Sequence, residues 1–306
     1  MKRVLILTDG KAGHENQSKA FARAIGCEAV LLGVKFRFFG AKTLSYILDF
    51  FGVRTLKLIS FAGDVSSADA VIGAGSGTFY AVKAVARARG IPSAAVLYPR
   101  GYRLRSFTCI LAPRFDNPRR AANVIEIPAN LVAADEAFYA AGEKAFLERY
   151  TPSVGRPACA VIVGGPNKCS TMTAPWLKAE LEAVFAATPD HEHWLTTSRR
   201  TPHDVEAVAA AFPFDYALIY SKDHFNPIPA FVKRADVLYV SAESTGMLSE
   251  ACTTGTAEVR VMDNLKPGGG KFRRFVELLR VDGHVDGRRK IDLSAVFARA
   301  RVLLGV

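Results

Sequence analysis

Short apolar runs alternate with amphipathic stretches along the first half of the chain. Apolar positions at 3–7 predict a buried strand, and the spacing at 16–25 predicts a helix with one apolar face. A second helix is expected to end at Arg89. Further strands are expected at 69–72, 93–97, 107–111 and 124–127. Strands that alternate with helices are typical of βαβ units around a parallel sheet.

The same alternation restarts after residues 150–157, where two prolines and a glycine predict a linker. Strands are expected at 158–163, 193–197, 216–220, 237–240 and 258–261, and helices at 174–187 and after Pro202. The predicted fold is α/β, with two Rossmann-like domains, 1–150 and 151–306, and a central cleft. The last helical stretch, 293–304, fits against either domain.

Composition describes a soluble protein without a membrane span. The 306 residues are 50% apolar and 23% charged, and no apolar run approaches the roughly 18 residues that would span a bilayer. The apolar run at the start is too short for a secretory signal. Five scattered cysteines without a C-x-x-C pair favour reduced thiols, and we therefore expect a cytoplasmic protein.

Positive charge is concentrated in the first half of the chain. The net charge is +11, and residues 1–155 contain 21 basic and 12 acidic residues, whereas 156–306 contain 19 and 17. No zinc-finger pattern, RNP motif or long basic helix favours nucleic acid. The expected partner is therefore an anionic or lipid-linked acceptor, with a peripheral contact on the inner face of the membrane.

Residues 34–60 combine aromatic and basic side chains with a single acid, Asp49. Such a segment fits a membrane surface, and it equally fits a core helix with a solvated basic edge. The basic residues are Lys35, Arg37, Lys42, Arg54 and Lys57.

The first strand leads into a polar loop at 9–17, at the sheet edge where open α/β sheets bind ligands. His14 is a candidate general base for an acceptor hydroxyl, and Glu15 is the alternative base. A simple helix-capping role for His14 is the other interpretation. A second glycine loop, 73–77, misses the G-x-G-x-x-G spacing, and we interpret it as a tight turn and a candidate for substrate contact. The acceptor-side residues expected here are Gly10, Lys11, Gly13, Asn16 and Gly75.

Three strand-to-helix junctions in the second half suit a nucleotide diphosphate. Residues 164–168 offer backbone amides and an ammonium group, and 198–202 offer hydroxyl and guanidinium groups with Thr201 as helix cap and Pro202 as first residue. Residues 243–250 begin another helix. For each junction, plain capping and turn chemistry is an alternative. The expected donor-binding residues are Gly164, Gly165, Lys168, Ser198, Arg199, Glu243, Ser244, Thr245, Gly246 and Glu250.

Several motifs are absent from the sequence. There is no D-x-D pair for a divalent ion, no P-loop and no G-x-S-x-G nucleophile elbow. The two histidines at 191 and 193 lack an evident third metal ligand. We therefore expect neither a metal nor a cofactor, with helix ends and basic side chains stabilising the leaving diphosphate.

Five segments together resemble the mitochondrial fission ELM-type family, whose bacterial members are regarded as glycosyltransferases of the GT-B fold. They are, in order, TDGKAGHENQS, GGPNK, TTSRRTP, SAESTGMLSEA and GGGKFRRF. A looser similarity, in the two glycine loops, is to the N-acetylglucosaminyltransferase of peptidoglycan synthesis, a membrane-surface enzyme. The resemblance implies that Gly13 and His14 face the reaction centre, Gly164 and Gly165 the diphosphate, and Glu250 the ribose.

The sequence departs from the family pattern at residues 169–171 and at Thr245 and Gly246. These departures leave the identity of the sugar donor undetermined. The resulting hypothesis is a metal-independent glycosyltransferase that moves a sugar from a nucleotide-diphospho-sugar. Two alternatives remain: a nucleotide-sugar 2-epimerase on the same architecture, and a non-catalytic interaction protein at membranes.

Overall fold

A computed structural model describes residues 1–64 and 67–306. The chain forms two compact α/β units, one of residues 1–133 with 292–306 and one of residues 134–291. Within the described residues, no helix is both long and apolar enough to cross a membrane.

Unit 1 is built on a seven-stranded sheet in the order β3-β2-β1-β4-β5-β6-β7, parallel except for β3. Its strands are β1 (Arg3–Thr8), β2 (Glu28–Phe36), β3 (Ile59–Phe61), β4 (Ala70–Ala74), β5 (Ser93–Val96), β6 (Cys109–Pro113) and β7 (Val124–Ile127). Its helices are α1 (Ala12–Ala24), α2 (Ala41–Phe50), α3 (Phe79–Arg89) and α10 (Ser294–Leu304). Apart from β2 and β3, the strands were expected.

The strand order in unit 1 reverses direction between β1 and β4, which pair in register from Val4 with Ala70. Open α/β sheets bind ligands outside the carboxyl ends of the strands at such a switch point. In unit 1 these carboxyl ends lead into residues 9–11 and 75–77, which belong to the two loops identified in the sequence.

Unit 2 repeats the arrangement with a five-stranded parallel sheet in the order β10-β9-β8-β11-β12. The strands are β8 (Ala158–Ile162), β9 (Glu192–Thr196), β10 (Tyr216–Leu218), β11 (Val237–Ser241) and β12 (Glu258–Met262). The helices are α4 (Glu136–Leu147), α5 (Ala174–Ala187), α6 (His203–Ala211), α7 (Ile228–Arg234), α8 (Thr245–Thr253) and α9 (Gly270–Val281). Its switch point lies between β8 and β11.

The division into units differs from the predicted boundary after residue 150. Helix α4, expected in the first domain, packs in unit 2 because buried Phe146 joins an aromatic cluster with Trp194 and Phe231, whose ring centroids lie 5.3 and 5.8 Å away. Helix α10 packs instead on the core of unit 1, where Ala300 and Leu304 are buried. The packing of their apolar faces decides to which unit α4 and α10 belong. A proline-rich linker in the sequence gives no information on that packing.

Candidate functional site

Two side chains after β1 form a hydrogen-bonded pair in unit 1. Nδ1 of His14 lies 3.1 Å from each carboxylate oxygen of Asp9, and both residues are partly buried. The sequence predicted a loop through residue 17, but α1 already begins at Ala12, which places His14 in its first turn. Asp9 was missed as a site residue, although it stands only five positions before a histidine at a helix start.

The pair of Asp9 and His14 packs against the glycines of the second loop. A Cβ atom at Gly75 would lie 2.2 Å from the His14 ring, and one at Gly77 would lie 2.7 Å from Oδ2 of Asp9. Gly75 also has a φ of +81°, which side chains rarely adopt. The loop therefore brings backbone against the pair in a way that only glycine allows.

Glu15, the alternative base, is committed to other contacts. Its Oε1 lies 2.7 Å from Nζ of Lys19, and its Oε2 accepts a hydrogen bond of 3.2 Å from the Thr8 hydroxyl. The hydrogen bond from Lys19 lowers the pKa of the Glu15 carboxyl. An ionised carboxylate with lowered basicity is a poor proton acceptor, so His14 is the better candidate.

The remaining acceptor-side residues surround the start of α1. Lys11 is the exposed N-cap residue, and its ammonium lies 3.7 Å from Asp9. Gly10, Gly13 and Asn16 are exposed, and a Cβ at either glycine would meet no atom within 4 Å. Open space beside the pair is what an incoming substrate requires.

In unit 2 the loop after β8 is tied to the loop after β11. The amide of Gly164 donates to the Ser241 hydroxyl at 2.9 Å, and the amide of Gly165 donates to Oε1 of Glu243 at 2.8 Å. A Cβ at Gly164 would lie 2.0 Å from the same carboxylate oxygen. These two amides were expected to bind a diphosphate, but the protein already uses them to join the two strand ends at the switch point.

Glu243 was expected to contact the donor and is instead a buried connector. Only 2% of the residue is exposed, and its second oxygen accepts a hydrogen bond of 2.7 Å from Asn264. The Ser241 hydroxyl donates to the first oxygen at 3.1 Å. Because its oxygens are occupied by protein donors, Glu243 shapes the loop rather than receiving a ligand.

The junction after β9 also differs from its expected form. Thr201 does not cap α6, since Pro202 is the N-cap residue and His203 the first helical one. The Thr201 hydroxyl donates to the carbonyl of Gly164, and it accepts from the amide of Ser198 at 2.8 Å. Thr201 thereby fixes the loop, while the side chain of Arg199 is exposed.

The start of α8 provides the open position at this switch point. Ser244 is the N-cap residue and its hydroxyl accepts from the amide of Met247. The first amides of a helix have no acceptor within it, and the end carries partial positive charge. Gly246 is exposed, and a Cβ there would meet nothing within 4 Å. Thr245 begins the helix, and the exposed Lys168 lies on the loop after β8.

Glu250, on the second turn of α8, is held by a residue that sequence reasoning missed. The hydroxyl of buried Tyr139 on α4 donates to Oε1 of Glu250 at 2.9 Å. Burial raises the pKa of the Glu250 carboxyl, and the hydrogen bond from Tyr139 opposes that rise. No local pattern links two residues 111 positions apart, so only the fold reveals this pair.

The two switch points therefore carry different chemistry, a carboxylate–imidazole pair in unit 1 and an open helix start with an oriented carboxylate in unit 2. The family described as mitochondrial fission ELM1 matches residues 12–290, which include His14 and the unit 2 site but not Asp9. The chain belongs to this family. The resemblance seen in the five sequence segments is thereby confirmed.

Solved structures with the same architecture include MurG from Acinetobacter baumannii, at 14% identity and a TM-score of 0.52, covering 100% of this chain and 92% of that one. A Listeria monocytogenes protein classed provisionally as a UDP-N-acetylglucosamine 2-epimerase has 10% identity and a TM-score of 0.51, covering 98% and 95%. No curated protein sequence matches this chain. The likeness confirms the predicted fold of two Rossmann-like domains.

Proposed function

We propose that the protein is a glycosyltransferase that moves a sugar from a nucleotide-diphospho-sugar to a hydroxyl acceptor. The observation that carries the proposal is the pair of Asp9 and His14 at the switch point of unit 1. With its Nδ1 proton donated to the Asp9 carboxylate, the imidazole keeps its Nε2 lone pair for a substrate proton.

In the proposed reaction, Nε2 of His14 takes the proton of the acceptor hydroxyl. The acceptor oxygen forms a bond to the anomeric carbon of the sugar, and the bond from that carbon to the diphosphate oxygen breaks. The electron pair leaves with the nucleoside diphosphate. Asp9 stabilises the imidazolium that forms, as a carboxylate does for a histidine base in other enzymes.

The donor is assigned to unit 2. The start of α8 at Ser244, Thr245 and Gly246 supplies amides and a positive helix end for the diphosphate. The exposed Lys168 and Arg199 and the half-buried Ser198 supply cationic and polar groups on the neighbouring loops. Glu250, held by Tyr139, is suited to accept the ribose hydroxyls. Helix ends and side chains of this kind stabilise the leaving group without a metal ion.

The first experiment is a thermal-shift and calorimetric screen of nucleoside diphosphates with and without magnesium. We expect one nucleoside diphosphate to raise the melting temperature equally in both conditions. Ligand binding to the folded state alone stabilises by about 2.7 kcal/mol at a hundred times Kd, which is readily measured. Stabilisation only with magnesium would contradict the metal-independent form.

A product assay with the corresponding nucleotide-sugar, with and without acceptor, then distinguishes glycosyl transfer from epimerisation. A transferase releases nucleoside diphosphate in amounts that depend on acceptor, whereas a 2-epimerase changes the sugar without any acceptor. A changed sugar in the absence of acceptor would replace the proposal with the epimerase alternative. Failure of all nucleoside diphosphates to bind would favour the non-catalytic interaction protein.

A further inference from the structure

Helix α2 buries two polar residues and exposes two large apolar ones, while Leu44, Tyr46 and Leu48 pack on the core. Ala41, Ser45 and Asp49, spaced four residues apart, are all buried, whereas Ile47 and Phe50 are 51% and 70% exposed. A surface helix of a soluble protein usually shows the opposite arrangement. The solvent-facing side of α2 is therefore apolar, as is typical of a surface that contacts another molecule or a membrane.

Polar contacts to buried groups fix the orientation of α2. Asp49 forms a buried ion pair with Lys83 at 2.7 Å and also accepts from the amide of Arg103 at 2.7 Å. The Ser45 hydroxyl lies 3.0 Å from the hydroxyl of Tyr102. Turning α2 to hide its apolar side would leave these buried groups without partners, which is costly. The exposed apolar side is thus built into the fold.

Further exposed aromatic side chains flank both ends of α2. Phe38 and Phe39 precede the helix and Phe51 follows it, with exposures of 52%, 104% and 72%. Among the described residues, eight of the fourteen exposed large apolar side chains lie between positions 31 and 56. Scattered exposed apolar residues are ordinary, but a concentration of this kind marks an interaction site. We call Phe38, Phe39, Ile47, Phe50 and Phe51 the α2 surface.

The charges around the α2 surface have one sign. Lys35, Arg37, Lys42 and Lys57 are exposed on the same segment. The only acid of residues 34–60 is Asp49, and it is neutralised inside the protein by Lys83. Aromatic side chains surrounded by basic ones match the interface of an anionic bilayer, where rings enter the headgroup region and cations meet lipid phosphates.

We infer that unit 1 docks on an anionic phospholipid bilayer through the α2 surface. Helix α2 begins close to the site, since Nζ of Lys42 donates to the hydroxyl of Ser76 at 2.9 Å, in the loop whose Gly75 packs on His14. If the proposed function holds, docking presents the Asp9–His14 pair to an acceptor carried at the lipid surface. The docking itself does not depend on catalysis.

The test is co-sedimentation of the full chain with vesicles, without nucleotide or acceptor, so that its failure is independent of the proposed function. Vesicles of phosphatidylcholine alone are compared with vesicles containing about 30 mol% phosphatidylglycerol. We expect binding to the anionic vesicles only, and weaker binding as salt is added, because each basic residue contributes about fivefold in affinity.

Two variants separate the apolar from the electrostatic contribution. Replacing Phe39, Phe50 and Phe51 by Ser should reduce vesicle affinity at least about tenfold, and the change of Lys35, Arg37 and Lys57 to Gln should reduce it about a hundredfold. The matched control replaces Val281 and Val302 by Ser, two residues 82% and 81% exposed elsewhere in the chain. The control should bind as the natural protein does.

Three outcomes would overturn the inference. They are absence of binding at low salt, equal binding to neutral and anionic vesicles, and unchanged binding of the Phe-to-Ser variant. Sedimentation equilibrium tests whether a second copy of the chain occupies the α2 surface instead. A natural protein that is dimeric and does not bind vesicles, together with a monomeric Phe-to-Ser variant, would assign the α2 surface to that second copy. Circular dichroism melting of every variant checks that the fold is retained, as expected for exposed positions.

Discussion

Nδ1 of His14 lies 3.1 Å from both carboxylate oxygens of Asp9, and the ring of the histidine rests against Gly75. The carboxylate fixes the ring orientation and the glycine leaves room for it. An imidazole held from two sides has its remaining nitrogen aimed by the protein, and such preorganisation is what a general base requires.

Replacement of His14 by Ala should lower the turnover number by about 10²–10⁴ and leave donor affinity nearly unchanged. The reason is that His14 belongs to unit 1, whereas the donor is assigned to unit 2. Asp9→Asn should also lower turnover, because the amide no longer favours the tautomer with the proton on Nδ1. Single-turnover kinetics together with calorimetry of the nucleoside diphosphate measure both quantities. Loss of donor affinity in His14→Ala would make His14 a ligand contact instead of the base.

Gly75→Ala should reduce turnover while the protein still folds. The new Cβ would overlap the His14 ring, and the positive φ adds strain of about 1–2 kcal/mol. Gly26→Ala is the matched control, since Gly26 has a φ of +73° but open space around its Cβ. In urea unfolding both variants should lose stability, Gly75→Ala more because of the overlap with His14, and only Gly75→Ala should lose activity. Equal activities would separate Gly75 from the catalytic pair.

Much of the fold could be predicted because buried parallel strands are short apolar runs between helices, and ten of the twelve observed strands coincide with expected ones. The unpredicted β3 pairs antiparallel through only three residues and has no distinct apolar pattern, whereas the apolar run at 29–34 in β2 is a strand signal that the prediction missed. The boundaries of the units were also not predicted, because they depend on whether Phe146 and Leu304 pack in the core of unit 1 or of unit 2.

The candidate site, like the fold, could be predicted from the sequence only in part. His14 and the loop containing Gly75 could be located from the sequence, because switch-point loops follow from the strand order. The partners of the key side chains could not, since Tyr139 is 111 residues from Glu250 and the buried role of Glu243 depends on Asn264. A sequence shows which groups are present at a strand end, but only the packed structure shows which of them are already occupied.

Glu250→Gln should weaken binding of the nucleoside diphosphate by about 1–3 kcal/mol, because a charged hydrogen bond to the ribose is lost. Glu250→Ala should do the same. Tyr139→Phe should weaken binding less, since the carboxylate remains but loses its orienting hydroxyl. Calorimetry gives the affinities, and unchanged values in both Glu250 variants would exclude the ribose assignment.

Although Glu250→Gln should weaken nucleotide binding, it should raise the stability of the folded protein near neutral pH. Burial raises the pKa of Glu250 in the folded protein above its ordinary value, so the folded state holds the proton more tightly than the unfolded chain. The contribution of Glu250 to stability therefore falls as pH rises from the ordinary pKa through the raised one. Glu250→Gln lacks this loss and should melt at a higher temperature than the natural protein near neutral pH, with the difference vanishing in acid. A lower melting temperature throughout would instead indicate a purely structural role.

Lys83→Met should destabilise the protein by about 3–5 kcal/mol, because the Asp49 carboxylate would be left buried without its cation. Burial lowers the pKa of Lys83 to about 8, which shows the cost of keeping this charge inside. The double variant Lys83→Met with Asp49→Leu should recover most of the loss, since an apolar pair replaces an ion pair. Denaturant unfolding of the three proteins measures the coupling, and additive losses would show that the two residues act separately.

Gly246→Ala distinguishes a ligand site from a well-capped helix at the start of α8. The added Cβ meets no protein atom within 4 Å, and alanine favours the helix over glycine by up to about 1 kcal/mol, so stability should be unchanged or higher. If a diphosphate binds against this turn, the same methyl group occupies its space, and affinity for the nucleoside diphosphate should fall at least about tenfold, or 1.4 kcal/mol. Gly164→Ala is the contrasting variant, because its Cβ would lie 2.0 Å from the Glu243 carboxylate and should destabilise the protein directly. Thermal melting and calorimetry of both variants give the comparison. Retained affinity in a fully stable Gly246→Ala protein would move the diphosphate away from α8, towards the exposed Lys168 and Arg199.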